Sequence, residues 1–381
     1  MTFENHFIEN YTFNNKNVLI RVDWNIPFNK DFEITDHFRI ISSLKTINYI
    51  YQNNPNRIII ISHLGRPKNN SDLKYSWINF MEQIKKYYHN IILLKDGISE
   101  LTLHKLKLEE SNIYLLENIR FHEEETKFPI KNENKIEKIF NLLGDIYVND
   151  AFSCMHRNHL SISGFYKNEK AYGYLVRNEM KYLNILLNNN ANDKILAIIG
   201  GSKINDKIML LNNLSMKVDG IYISGGLINS ILKNTIYKEE INKIKNNKAK
   251  IYEMKDGLAT NNINTVYDYY STEELPSDKY FYDIGILSLI ELENIVKDYD
   301  IIFWNGPLGL IEDKLYDNGS YTLVQILLKS KKKIIIGGGD TAGFVSKFHN
   351  KFEFVSTAGG ASIDYISNGT LIGLDMFKDQ Q

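Results

Sequence analysis

Residues 17–23, NVLIRVD, set Val18, Leu19, Ile20 and Val22 nearly side by side and end on a charge, Asp23. A strand with one wet face would alternate apolar and polar positions. A run that is apolar on successive residues suits a strand covered on both faces, as in a parallel sheet with crossover helices. The same pattern recurs in the first half as IIIISH at 58–63, IILL at 91–94, NIYLLEN at 112–118 and DIYVND at 145–150. It returns in the second half as KILAIIGG at 194–201, GIYISGG at 220–226, KIYEM at 250–254, IIFWNGP at 301–307, KIIIGGG at 333–339 and EFVSTAGG at 353–360. Longer segments of helical character lie between the runs. Two such sets predict an α/β protein of two similar-sized, Rossmann-like three-layer domains, each built on a parallel sheet. Between them, AYGYLVRNEMKYLNILLNNN at 171–190 has apolar positions at roughly helical spacing and reads as a linking helix. The alternative is an ordinary crossover helix inside one large sheet.

A chain of 381 residues is too long for one ordinary core, and 43% apolar residues suffice to build two. The formal net charge is -1, from 45 basic and 46 acidic side chains. That balance excludes a global pull toward nucleic acid or membrane, so any anion site must come from local clustering. Cys154 is the single cysteine, which excludes an intramolecular disulfide framework and a multi-cysteine metal knot. MTFENHFIEN at the start lacks the pattern of a signal peptide, and no apolar run is long enough for a membrane span. The expectation is a soluble, monomeric, cytoplasmic protein acting on small molecules.

Open α/β sheets bind ligands beyond the C-terminal ends of their strands. In the first half those ends carry Asp23, His63, Asn118 and Asp150, with Arg21, Arg39, Arg66, Arg120 and Arg157 close by and His122, His156 and His159 among them. The planar guanidinium fork suits carboxylate and phosphate oxygens, so arginines arriving from several loops predict a site for a small polyanion. Arg21 is the weakest of these candidates, because it sits inside a strand. In the second half the ends carry glycines: GGSKINDK at 200–207, SGG at 224–226, NGPLG at 305–309, GGGDT at 337–341 and AGGAS at 358–362. Glycine lets backbone N–H groups approach a ligand closely, and a helix N-terminus favours negative charge. There is no Walker loop and no G-x-G-x-x-G. Lys203 and Lys207 share a face if helical. Asp340 reads either as a Mg²⁺ ligand or as a helix N-cap, Thr341 as a phosphate donor and Glu312 as an acceptor for ribose hydroxyls.

RVDWNIP, ISHLGRP, LLENIRFHEEE, GDIYVNDAF with His156-Arg157 after it, GGSKINDKI, FWNGPLGLIE, GGGDT and TAGGAS stand in the order and near the spacing of one family, over residues 17 to 374. The chain resembles the phosphoglycerate kinases. The resemblance implies a phosphoglycerate-binding domain at 1–172, a linking helix at 173–190, a nucleotide-binding domain at 191–367 and a tail, 368–381, that returns to the first domain, with the active-site cleft between the two domains. It implies that Asp23, Asn25, Arg39, His63, Leu64, Gly65, Arg66, Arg120 and Arg157 bind phosphoglycerate. It implies that Lys203, Lys207, Gly225, Gly226, Phe281, Asn305, Pro307, Glu312, Gly338, Gly339, Asp340 and Thr341 serve ATP or ADP, with Mg²⁺ at Asp340. Arg39, Lys203 and the backbone at Gly338, Gly339 and Gly360 would hold the phosphoryl group in transfer. Against the family pattern, Ser153 replaces glycine, Cys154 replaces threonine, Ser202 replaces alanine, and Phe281 stands where a glycine is expected near adenine. Two other readings stay open: a nonenzymatic nucleotide-binding scaffold, and an acyl-phosphate kinase for a different small acid.

Overall fold

The structure, a computed structural model, describes residues 3–108, 111–129, 135–167, 169–187, 192–263 and 267–377. The chain divides into two compact units, Met1–Met180 with Thr370–Gln381, and Lys181–Gly369.

The first unit is built on six parallel strands: β1 (Asn17–Arg21), β2 (Arg57–Ile61), β3 (Ile92–Leu94), β4 (Ile113–Leu116), β5 (Ile146–Asn149) and β6 (Lys170–Tyr172). Their order is β3-β4-β2-β1-β5-β6. Central β1 pairs with β2 on one side and β5 on the other. Val18, Leu19 and Ile20 are fully buried, which is why its sequence is continuously apolar. The helix Phe38–Gln52 buries Ile40, Ser43, Thr46, Ile47 and Ile50, a stripe at three- and four-residue spacing. Ser43 Oγ accepts from Trp24 Nε1 at 2.9 Å, pinning the loop after β1 to that helix.

The second unit carries β7 (Ile195–Ile199), β8 (Gly220–Ile223), β9 (Lys250–Glu253), β10 (Asp256–Thr260), β11 (Asp268–Ser271), β12 (Tyr280–Ile284), β13 (Ile301–Asn305), β14 (Lys333–Gly337) and β15 (Phe354–Val355). Six of these form a parallel sheet in the order β15-β14-β13-β7-β8-β9. The remaining three form an antiparallel sheet, β11-β10-β12, which the sequence reading did not anticipate. Strand β6 is also new: no apolar run marks Lys170–Tyr172, and its last two residues open the 171–190 segment read as the linking helix. That helix spans Tyr174–Leu187, and residues 188–191 lie outside the described residues.

In each parallel sheet one pair of neighbouring strands sends its onward connections in opposite directions: β1 and β5 in the first unit, β7 and β13 in the second. These reversals open a crevice beyond the strand ends, the usual ligand position in open α/β sheets. The tail packs on the first unit: Tyr172 Oη donates to the Leu374 carbonyl at 3.1 Å, and the Phe377 and Tyr172 rings lie 3.9 Å apart. Residues 378–381 lie outside the described residues.

Two buried carboxyls stand at the exits of their strands. Asp150 Oδ1 accepts from Leu175 N at 2.8 Å, at the start of the helix Tyr174–Leu187. Asp283 accepts from Gly319 N at 2.8 Å and Ile284 N at 2.9 Å. Burial outweighs these bonds and pushes each carboxyl from 3.8 up to about 7. Between pH 4 and 7 the unfolded chain therefore ionises both groups while the folded chain keeps its protons. Stability is lost as pH rises through that window, by on the order of 4 kcal/mol per group at the upper end. Asp283→Asn should flatten the wild-type decline in urea midpoint between pH 4 and 7. A wild-type midpoint that does not decline over that range would contradict the account.

Candidate functional site

In the first unit, Asp23 leaves the end of β1 and gathers partners from three other segments. Arg39, in the first turn of its helix, pairs with Asp23 Oδ2, and Ser153 Oγ donates to the same oxygen. His63 Nδ1 stands 3.7 Å from Asp23 Oδ1. Burial opposes the Asp23 charge, yet the Arg39 guanidinium, the Ser153 hydroxyl and Arg21 hold its carboxyl well below the usual range. Burial drives the His63 imidazole well below its usual value, and Arg21 and Arg120 add to the effect, so the ring is neutral.

The loop His63–Arg66 is held by its backbone. Gly65 N donates to Asn25 Oδ1 at 2.8 Å, and the Gly65 carbonyl accepts from Arg120 Nη1 at 2.5 Å. Leu64 exchanges two bonds with the Asn118 amide, at 3.1 and 2.8 Å. Gly65 has a φ of +58°, and a Cβ there would come 2.1 Å from Tyr75 Cε1, so the turn requires glycine. Arg66 is exposed, and Arg120 and Arg157 are half-buried. Arg157 Nε donates to His156 Nε2 at 3.1 Å. Of the other histidines, His122 accepts from Ile98 N at 2.9 Å and His159 stands 3.4 Å from Glu125, so both serve the loops rather than the anion site.

Asp23, His63 and Cys154 offer ligand atoms within 4.8 Å of one another. Their valences are already used by guanidinium groups. Arg39 takes Asp23, and Arg21 Nη2 stands 3.1 Å from His63 Nδ1 and 3.7 Å from Cys154 Sγ. The arrangement suits an anion above fixed cations, not a metal. Sequence reasoning missed the polar layer beneath it. Glu125 is fully buried and accepts from Ser161 N at 2.8 Å and Ser161 Oγ at 2.7 Å. Its place in the acidic run HEEE gave it the look of a solvated surface charge.

In the second unit, the turns after β7 and β13 interlock. Gly200 N donates to the Asn305 carbonyl at 2.9 Å and Gly201 N to the Pro307 carbonyl at 2.8 Å. A Cβ on Gly200 would come 2.2 Å from Pro307 O, and one on Gly306 (φ +95°) 2.2 Å from Gly200 O. Here glycine is required for one turn to approach another. Gly225 precedes the helix Gly226–Lys233, Gly338 the helix Gly339–Phe344 and Gly359 the helix Gly360–Asn368. Lys203 is exposed just before the helix Ile204–Ser215, whereas Lys207 is buried and donates to Asn305 Oδ1. Asn305 Nδ2 is buried with no partner among the described residues, beside the glycines that follow β14. Thr341 is fully buried and its Oγ1 accepts from Gly306 N at 2.7 Å, so this hydroxyl ties the glycine turns together.

A cavity of about 310 Å³ opens over these turns, lined among others by Gly201, Gly226, Phe281, Pro307, Glu312 and Asp340. Glu312 and Asp340 are exposed at its border. Phe281 is buried, and Asn229 on the helix Gly226–Lys233 holds its backbone at both ends: Nδ2 donates to Phe281 O and Oδ1 accepts from Phe281 N, each at 2.8 Å. Small pocket volume, glycine-exposed backbone, one unpaired buried amide donor and two carboxylates at the border suit a phosphorylated ligand with an attendant hard cation.

The profile of the family described as phosphoglycerate kinase matches residues 8–369. The phosphoglycerate kinase of Coprothermobacter proteolyticus is 35% identical, the alignment covering 94% of this chain and 95% of that one. The solved phosphoglycerate kinase of Coxiella burnetii superposes with a TM-score of 0.82 at 27% identity, covering 98% of both chains. That of Pyrococcus horikoshii gives a TM-score of 0.80 at 22% identity with the same coverage, a likeness of fold.

Proposed function

The chain belongs to the phosphoglycerate kinase family, and on that premise we propose that it moves a phosphoryl group reversibly between 1,3-bisphosphoglycerate and ADP, giving 3-phosphoglycerate and ATP, as a glycolytic enzyme. The observation that carries the reading is the division of chemistry between two sheet reversals. One presents arginines around Asp23, and the other presents glycine-bared backbone around a cavity.

The non-transferred phosphate of the substrate docks on Arg157, Arg120, Arg66 and the His63–Arg66 loop. The nucleotide lies against Gly201, Gly226, Pro307 and Glu312, its outer phosphates toward Lys203, Lys207 and Asn305. A β-phosphate oxygen of ADP attacks the acyl phosphorus in line, and the carboxylate leaves. Because that carboxylate is a weak base, no proton transfer is needed, and catalysis is positioning plus electrostatics. Arg39 and Lys203 hold the phosphoryl oxygens during transfer, with the N–H groups of Gly338, Gly339 and Gly360. Asp340, an exposed carboxylate at the cavity border, fits a Mg²⁺ ion shared with nucleotide phosphates. That ion would supply charge neutralisation on the phosphates. Asp23 takes the Arg39 guanidinium in the free protein and releases it to the more highly charged substrate.

In this reading the enzyme acts on small molecules as a cytoplasmic monomer. No described helix is long and apolar enough to cross a membrane. A coupled assay with 3-phosphoglycerate and Mg-ATP tests the reading, with acetate and carbamate as competing acceptors and GTP as competing donor. Turnover of 3-phosphoglycerate alone among the acids is expected. Turnover of acetate or carbamate in its place would assign the site to another acyl-phosphate kinase, and no turnover of any acid would leave the nonenzymatic nucleotide-binding scaffold.

A further inference from the structure

Arg21 was the weakest of the sequence candidates, and it turns out to be the most enclosed of the site's arginines. It is 1% exposed and spends its donors on four different groups. Nε donates to Ser161 Oγ at 2.8 Å and Nη1 to the Val22 carbonyl. Nη2 stands 3.1 Å from His63 Nδ1 and 3.7 Å from Cys154 Sγ. Ser161 in turn donates from both N and Oγ to the buried Glu125 carboxylate.

A guanidinium can only donate, since it has no acceptor and does not lose its proton. The nitrogen of His63 that faces it must therefore be the acceptor. A neutral imidazole whose Nδ1 accepts carries its proton on Nε2. Nε2 makes no hydrogen bond among the described residues, so the N–H opposite Arg21 is uncommitted.

We propose that Arg21 is a positioning residue: it fixes His63 as the neutral Nε2–H tautomer, so that His63 presents one directed N–H to an oxygen of the phosphoglycerate. Glu125, acting through Ser161, holds Arg21 in register. This rests on the reading of the arginine loops as the phosphoglycerate site. It goes further in making His63 a neutral donor rather than a further positive charge or a proton acceptor.

The charged and titratable groups facing His63 agree with this state. Arg21 comes from β1, Arg120 from the turn after β4 and Cys154 from the turn after β5. Asp23 and Glu125 supply the opposing negative charge, and burial with the two arginines prevails. Burial also keeps Cys154 as a thiol, so no thiolate sits beside the ring to favour its protonation. Glu125 is ionised: burial opposes its charge, but His159, Arg21 and Ser161 hold it at about 2.

The test is long-range ¹H–¹⁵N spectroscopy of the full chain with ¹⁵N-labelled histidine, the His63 signals assigned by their loss in His63→Gln. The expected wild-type spectrum shows Nε2 protonated and Nδ1 bare from pH 6 to 8, without substrate. Protons on both nitrogens at pH 7, or a proton on Nδ1, would overturn the proposal, and that result does not depend on Arg21→Met folding. Arg21→Met should then let His63 titrate within this range or move its proton to Nδ1 facing Asp23. It should also raise the phosphoglycerate KM on the order of 10-fold or more, the loss of one hydrogen bond to a charged oxygen, with the nucleotide KM unchanged. An unchanged His63 spectrum in folded Arg21→Met would refute the positioning role. The predicted spectrum in a protein that fails to turn over 3-phosphoglycerate would instead refute the functional reading.

Discussion

Arg39→Ala and Lys203→Ala each lower kcat on the order of 10²-fold or more, the cost of deleting one preorganised transition-state donor, while Arg157→Ala mainly raises the phosphoglycerate KM. The difference follows from when each contact is made. Arg157 is assigned to the phosphate that never moves. That contact is the same before and during transfer, so its loss weakens binding uniformly and spares the chemical step. Arg39 and Lys203 are assigned to the group in flight, whose oxygens carry negative charge between donor and acceptor. The structure sharpens the Arg39 arm. In the free protein Arg39 is paired with Asp23, which also accepts from Ser153. Removing Arg39 leaves Asp23 with Ser153 and the neutral His63, so repulsion between Asp23 and the incoming anion adds a KM increase to the loss in kcat. Lys203 is exposed, so Lys203→Ala leaves no buried group unpaired and reports on turnover alone. Steady-state kinetics with 3-phosphoglycerate and Mg-ATP varied in turn, with circular dichroism as a control on folding, measure all three. Near-normal kcat in both Arg39→Ala and Lys203→Ala would mean that backbone amides and Mg²⁺ hold the phosphoryl group, and the division of labour would fall.

Both sheets could be read from the chain because a strand buried on two faces has no choice of composition. Ile58 to Ile61 are fully buried, as are Ile195 to Ile199, and their runs are unbroken by polar residues. The antiparallel sheet was hidden for the opposite reason. Its β10 is Asp-Gly-Leu-Ala-Thr and its β11 is half exposed, so neither carries a continuous apolar run or a clean alternation. Strand β6 has three residues, too few for any periodicity.

The sequence points to the candidate site where a polar side chain stands at a strand end, as with Asp23, His63 and Asn118. It gives no such sign where charge is sealed beneath the site. Arg21, inside the run NVLIRVD, and Glu125, in an acidic run, have no sequence signature that separates them from structure or surface. What makes them functional candidates is each other, through Ser161, and that pairing is a property of the fold. Thr341 combines both cases: its position beside Asp340 suggests a phosphate donor, and its Oγ1 accepts from Gly306 N, which leaves its O–H free to donate.

Phe281 stands where the family pattern leads one to expect a glycine, and Phe281→Gly is expected to act on two observables at once. The ring is 3% exposed, and a Cβ on Gly257 of β10 would come 2.6 Å from its Cδ1. It therefore fills space that the small residue opposite leaves open, while Phe281 also lines the cavity shared with Glu312 and Asp340. Deleting a buried phenylalanine side chain costs about 3–5 kcal/mol, and glycine within a strand adds to that. The urea midpoint should fall accordingly, with Phe281→Leu losing less because most of the volume is kept. Asn229 bonds only to backbone atoms of Phe281, so the strand stays anchored in either variant and the cavity wall recedes without collapsing. The nucleotide KM and the ATP-to-GTP preference should change in Phe281→Gly, and the phosphoglycerate KM should not, since that substrate is assigned to the other unit. Kinetics with both nucleotides, run alongside urea unfolding, separate the two roles. A large loss of stability with every nucleotide parameter unchanged would mean that the ring serves the core alone and that the base lies elsewhere along the cavity.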